Sequence, residues 1–227
     1  MDTLAGLFRD LLGERFGLPT PLPEDPFPTL VRWFEEAKRA AASPDPDAMT
    51  LATATPDGRP SARIVLCKSI DATAGSVVFF SHREGRKGRE LAANPHAAVV
   101  FHWSHQARQA RIEGRVALLD DAASDAYFAG RPLLSKLGAW ASRQSTPLTS
   151  RGELLEAVRE AARRFGIGWT SVLDGDAGTK IPRPPGWGGF SLTAEAVELW
   201  QGGSARLHDR ALWTREHGPA ERAGRWS

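Results

Sequence analysis

A single cysteine, Cys67, stands in the 227 residues, so an internal disulfide is excluded. One thiol suits a reducing compartment, and a cytoplasmic location is the expectation. Long apolar runs are also missing: none approaches the ~18 residues that a membrane span requires. The opening stretch MDTLAGLFRDLLGERFG has Asp2 where a signal peptide carries basic residues, and Arg9 and Asp10 interrupt its apolar positions, so no leader is expected. A formal net charge of +2 is too small to announce a nucleic-acid binder. No GxGxxG follows a strand-like run, there is no GxxxxGK[ST], and there is no GxSxG. Those absences disfavour a dinucleotide fold, a P-loop and a serine nucleophile elbow. His102 and His105 form an HxxH, but without a nearby carboxylate or thiol as a third ligand, so no metal is expected.

What remains is an ordinary globular composition, 41% hydrophobic and 25% charged. Leu4, Leu7, Phe8, Leu11 and Leu12 recur at helical spacing. LPTPLPEDP (18–26) reads as a linker, after which Asp25 caps a helix with Pro26 at its first position, running to about Ala42. The rhythm then changes. Strands are expected at 49–55, 61–70, 76–82, 96–103 and 108–119, rich in Val, Ile, Phe and Thr. Only the fourth follows a helix, REGRKGRELAANP, which argues for an antiparallel barrel over a parallel sheet. Helices are expected at DAASDAYFAG and at SRGELLEAVREAARRFG, where Ser150 and Glu153 have capping-box spacing. A Gly- and Pro-rich loop (166–188) leads to two last strands, about 189–200 and 206–215. The expected organisation is an N-terminal helical segment and linker (1–46) followed by one barrel domain (47–227).

Two stretches carry polar residues beyond what folding needs. Segment 63–115 holds nine Lys/Arg against four Asp/Glu. Arg86 and Lys87 open a predicted helix, where cations oppose the dipole unless an anion uses both. A solvated basic face and a phosphate site both remain open on this evidence. In WQGGSARLHDR (200–210), period-2 alternation along ARLHDR predicts Arg206, His208 and Arg210 on one strand face, with Leu207 on the other. Gly202 and Gly203 suit a tight turn or a close backbone approach to a ligand. The choice there is between a solvated hairpin edge and a pocket wall. Cys67, mid-strand with no base beside it, reads as packing.

Taken in order, RIVLCK (63–68), FFSHREGRKGREL (79–91), RQARIEG (108–114), YFAGRPLLSKLGAWASRQS (127–145), PRPPGWGGF (182–190) and WQGGSARLHDR resemble the pyridoxine/pyridoxamine 5′-phosphate oxidase family. The likeness runs from about residue 47 to 215. It implies a mainly β fold with flanking helices, an antiparallel FMN-binding split β-barrel, and a homodimer with FMN at the subunit interface. It implies FMN-dependent oxidation of pyridoxine or pyridoxamine 5′-phosphate to pyridoxal 5′-phosphate, with O2 reduced to H2O2. Position by position, Arg63, Ile64, Val65, Leu66, Lys68 and Phe80 would contact the flavin. Arg86 and Lys87 would grip its phosphate with Ser81 nearby. Gln109, Gln144, Ser145, Trp200 and Arg210 would hydrogen-bond it. Lys68, Tyr127, Arg131 and Ser135 would hold the substrate phosphate, while Arg206 and His208, the residues expected at the reacting centre, would lie against its pyridine ring. The alternatives are an FMN oxidase of the phenazine-biosynthesis type and a non-catalytic flavin- or pyridoxal-phosphate-binding barrel. The chain departs from the family pattern at its end, ERAGRWS, in its first ~45 residues, and in an enlarged loop at 166–188.

Overall fold

The computed structural model describes residues 17–40, 42–168 and 180–215. The helix expected over residues 4–12, residues 169–179 of the loop 166–188 and the chain end after 215 lie outside the described residues.

Six strands close into an antiparallel barrel. They are β1 (Ala48–Ala54), β2 (Pro60–Asp71), β3 (Ser76–His82), β4 (His96–Trp103), β5 (Arg108–Leu118) and β6 (Trp187–Gln201), in the order β3-β2-β1-β4-β5-β6, with β3 also pairing β6. A seventh strand, β7 (Asp209–Thr214), adds to β6 outside the closure. Closure depends on the length of β6. Its first half, 187–193, pairs with β3; its second half, 196–201, pairs with β7; β5 runs along its other side. The β5–β6 register shifts between Glu113 and Gly114. A Cβ at Gly114 would sit 2.0 Å from the Thr193 carbonyl, so the strands approach there only because the residue is glycine. A bulge of this kind bends a strand and raises its twist, which barrel closure requires.

The expected strands are all present to within a residue or two, except the last. Inward alternation buries Met49 and Leu51 on β1, Val99, Phe101 and Trp103 on β4, and Ala110, Ile112 and Val116 on β5. Phe79 stacks on Phe190 at 5.1 Å between ring centroids inside this core. Cys67 is buried, and burial pushes its thiol up to about 12, so it packs and does not react. Helix α1 (Phe27–Ala40) lays Phe27, Leu30, Trp33, Phe34 and Ala37 into the same core. Its start is as read: the Phe27 amide donates to Asp25 Oδ1 at 2.9 Å, and the Pro26 carbonyl accepts from Leu30.

Helix α2 (Arg86–Ala93) joins β3 to β4, and a flanking layer follows β5: α3 (Asp121–Ala129), α4 (Leu133–Ala141) and α5 (Arg151–Arg164). Phe128, Leu137, Ala139, Ala161, Ala162 and Ile181 pack around Trp187 as a second, smaller core. Helix α4 is not among the expected elements. Nine residues with Gly138 inside give little period to detect. At α5, Ser150 Oγ accepts from the Glu153 amide at 3.3 Å, but the Glu153 carboxylate reaches back to Thr149, one residue before the expected cap. Among the described residues no helix is long and apolar enough to cross a membrane.

The last strand corrects the expectation. Residues Ser204–Arg206 form a 3-10 turn, Ala205 and Arg206 have φ of 53° and 64°, and β7 begins only at Asp209. Arg206, His208 and Arg210 therefore do not share a strand face. The reason lies in the glycine pair: a Cβ on Gly203 would meet the Leu207 carbonyl at 1.8 Å, and the Gly203 amide donates to His208 Nδ1 at 3.1 Å. The close approach is to the chain's own backbone, and it uses up the residues that would have alternated.

Candidate functional site

The site grows from the end of β3 and the start of α2. Gly85 precedes the helix in an extended conformation and has no side chain to cap it. Ser145 supplies the cap instead, accepting from the Arg86 amide at 3.0 Å. Ser145 itself is held at φ 67°, a conformation that costs an L-residue and persists where surroundings impose it. One turn in, the Lys87 ammonium is buried and donates to Ser81 Oγ at 3.0 Å and Gln144 Oε1 at 2.6 Å. It makes no ion pair with a carboxylate among the described residues. Burial, then the charge of Arg63, lowers its pKa to about 8.

A cavity of about 440 Å³ opens beside Lys87, within the range of small-molecule sites. Its apolar wall is Ile64, Val65 and Leu66 from β2, with Phe80 from β3. Its polar residues are Lys68, Ser81, His82, Lys87, Tyr127, Arg131, Ser135, Ser142 and Gln144. Phe80 stacks on Tyr127 at 3.8 Å and on Trp187 at 5.4 Å, and those two rings lie 6.2 Å from each other. The Arg131 guanidinium covers Trp187 at 4.8 Å, and its Nη1 is buried without a hydrogen-bond partner. Burial depresses the Arg131 pKa from its ordinary value. Lys68 differs: its ammonium is held by Asp47 at 2.6 Å.

Arg63 and Arg86 stand outside this lining, turned to a buried carboxylate, Glu90. Glu90 Oε1 accepts from Arg86 Nε at 2.8 Å, while Oε2 accepts from Ser61 Oγ at 2.6 Å, from Thr53 Oγ1 and from Arg63 Nη2 at 3.3 Å. Burial opposes its ionisation, but the hydrogen bonds from Ser61, Thr53 and Arg86 and the charge of Arg86 outweigh it, holding the carboxyl down at about 2.

The remaining expected residues form a second group. Gln109, Trp200 and Arg210 are register partners in one row across β5, β6 and β7. The His208 ring lies 4.7 Å from that of Trp200, and Arg210 Nε donates to the buried Glu198 carboxylate at 2.7 Å. Arg206 is exposed on the preceding turn. None of these residues lines the cavity.

Three participants escaped the sequence reading. His82 ends β3 in the cavity wall; burial, then the charges of Lys87 and Arg131, lower its pKa. It lies within FFSHREGRKGREL, and no expectation singled it out. Trp187 backs Arg131 from the start of β6, two residues before the strand was expected to begin. Glu90 was legible as the i+4 partner of Arg86, but only tertiary structure adds Thr53, Ser61 and Arg63 to it.

Comparison with known proteins puts names beside this geometry. A family model described as Pyridoxamine 5′-phosphate oxidase matches residues 35–164, and one described as Pyridoxine 5′-phosphate oxidase C-terminal dimerisation region matches residues 187–227. A pyridoxine/pyridoxamine 5′-phosphate oxidase of Rubrobacter xylanophilus is 49% identical over 220 residues, covering 96% of this chain and 94% of that one. Its counterpart in Burkholderia vietnamiensis is 50% identical over 196 residues, 86% of this chain and 85% of that one. Among solved structures, PhzG of Burkholderia lata in complex with tetrahydrophenazine-1-carboxylic acid superposes with TM-score 0.76 at 31% identity, covering 90% of this chain and 91% of that one. The 96% coverage extends the likeness well beyond the 47–215 span of the motifs.

Proposed function

The chain belongs to the pyridoxamine 5′-phosphate oxidase family, and from that premise we propose that it is an FMN-dependent oxidase of pyridoxine or pyridoxamine 5′-phosphate, yielding pyridoxal 5′-phosphate and H2O2. One observation carries the reading: of the three cations that line a single cavity, two, Lys87 and Arg131, have no carboxylate partner among the described residues. Buried charges are ordinarily paired. Two phosphate esters, one on the cofactor and one on the substrate, would supply the missing anions.

The residues fit FMN on their own chemistry. Lys87, the Arg86 amide at the helix start, Ser81, Gln144 and Ser145 converge as a phosphate cradle. Gly85 keeps it open, since a Cβ there would meet Gln144 Oε1 at 2.7 Å. Ile64, Val65 and Leu66 offer an apolar face for the flavin ring. Bound FMN would supply the redox chemistry, accepting two electrons from the substrate and passing them to oxygen. The chain would supply binding and orientation. Arg131, backed by Trp187, with Tyr127 and Ser135 beside it, would fix the substrate phosphate, Arg131 being suited to bidentate contact.

The site would be completed by a second copy of the chain. Residues 187–227 match a region described as a dimerisation region. Ile64, at the cavity, is 63% exposed, a cost that a partner surface would remove. The Gln109–Trp200–Arg210 row and Arg206 with His208 lie off the cavity of their own chain and would serve that of the partner. A cytoplasmic homodimer follows as part of the same reading.

A specific observation keeps a second reading in view. Lys68 is tied to Asp47, which leaves the substrate-phosphate set one cation short, and PhzG shares this fold at 31% identity. A phenazine-type substrate would not need that cation. The test is peroxide release by the FMN-loaded protein with each B6 phosphate. Turnover of either supports the proposal; FMN binding with no peroxide from both overturns it.

A further inference from the structure

Glu90 sits where a carboxylate should be unwelcome, beside Arg63 and Arg86 and one helical turn from Lys87, the cation that the proposed function assigns to a phosphate. Its four hydrogen-bond donors explain why it is there. Arg86 meets one carboxylate oxygen, and Arg63, Ser61 and Thr53 meet the other. Arg63 is fixed a second time, since its Nη1 donates to Thr53 Oγ1 at 2.5 Å and its Nη2 to Ser61 Oγ. The Glu90 side chain is 6% exposed, covered by the donors that hold it. Arg86, by contrast, is 57% exposed at its side chain. Among the described residues no other hydrogen bond or ion pair holds that side chain, so its direction at the helix start depends on the Glu90 contact.

We infer that Glu90 is a positioning residue for the flavin phosphate: it orients Arg63 and Arg86 and trims the charge of the cradle to match a phosphate monoester. The inference rests on the flavin reading above. Three cations, Arg63, Arg86 and Lys87, stand against this one carboxylate, leaving two positive charges. A phosphate monoester carries close to two negative charges at neutral pH. A rigid guanidinium also loses less rotamer freedom when the ligand arrives, which is how preorganisation adds affinity. Glu90 does this through the arginines, without touching the ligand.

Riboflavin, which shares the ring and lacks the phosphate, separates this role from a structural one. The full-length protein stripped of flavin is titrated with FMN and with riboflavin, following flavin fluorescence, as wild type and as Glu90→Gln. Gln cannot accept at both positions, so one arginine is released. The expected result is FMN affinity about ten-fold weaker with riboflavin affinity unchanged. Equal weakening of both ligands would mean that Glu90 only supports the fold. Unchanged or tighter FMN binding would mean that its charge merely opposes the phosphate. Either overturns the inference. If Glu90→Gln fails to fold, Ser61→Ala removes one donor and leaves the carboxylate. FMN binding weakened about three-fold with riboflavin unaffected supports the role, and equal or no weakening overturns it. Wild-type protein that binds neither flavin would refute the flavin reading itself, an outcome distinct from these.

Discussion

Lys87 offers the sharpest test of the cradle, and Lys87→Met is the perturbation. Met keeps the aliphatic length and removes the charge. In the flavin-free protein the ammonium has, among the described residues, only Ser81 Oγ and Gln144 Oε1 as partners, and its pKa has fallen from 10.5 to about 8. The sign of the linkage follows. The unfolded chain holds this proton more tightly than the native one, so the charged lysine costs stability at all pH below about 8, and the cost fades as pH rises towards 10.5. Flavin-free Lys87→Met should therefore be at least as stable as wild type at pH 7. FMN binding should respond in the opposite sense. A hydrogen bond to a charged group contributes about 1.5–3 kcal/mol, so the variant should bind FMN roughly ten- to hundred-fold more weakly. Wild-type affinity should also decline as pH passes upward through about 8, because free Lys87 then loses the proton the phosphate needs, whereas Lys87→Met should show no such decline. Flavin titrations between pH 6.5 and 9.5, at roughly those two limits, beside thermal melts of the flavin-free proteins, measure both quantities. A wild-type affinity flat across that range, or a variant that binds FMN normally, would refute the assignment of Lys87 to the phosphate.

Three further outcomes are expected. Arg131→Met should raise KM for a phosphorylated substrate without lowering the melting temperature, since its Nη1 forms no hydrogen bond among the described residues and Met keeps apolar contact with Trp187; steady-state kinetics with an unchanged KM would remove Arg131 from the substrate site. Arg206→Leu should cut turnover on the order of 10²-fold through misplaced substrate while leaving FMN affinity intact, and a fully active variant would return Arg206 to the role of a solvated turn residue. Gly203→Ala should destabilise the protein by about 1–3 kcal/mol, as overpacking does, because its Cβ would lie 1.8 Å from the Leu207 carbonyl; an unchanged denaturation midpoint would show that the turn can relax.

Much of this molecule was legible residue by residue. The strands of the barrel follow from runs of β-branched and aromatic residues separated by turn chemistry, and their alternation decides which side chains enter the core. The α1 cap at Asp25, the helix at Arg86 and the anomaly of two cations at its start are local facts, and local spacing carries them. The expected site residues come from the resemblance of ordered motifs, which periodicity alone does not supply.

Tertiary structure decided where those residues meet. Closure of β3 onto β6 carries Trp187 to the cavity, about a hundred residues along the chain from Phe80. Gln144 and Ser145, in the segment that follows α4, reach the start of α2 only once the chain has folded. Glu90 became a hub only when β1 and β2 delivered Thr53, Ser61 and Arg63 to one carboxylate. The turn at 202–208 was missed for the same reason: period-2 alternation describes a chain free to extend, and the approach of Gly203 to the Leu207 carbonyl removes that freedom. Patterns in sequence record which face of an element is apolar. Contacts between distant elements depend on register and closure, and those exist only once the barrel has formed.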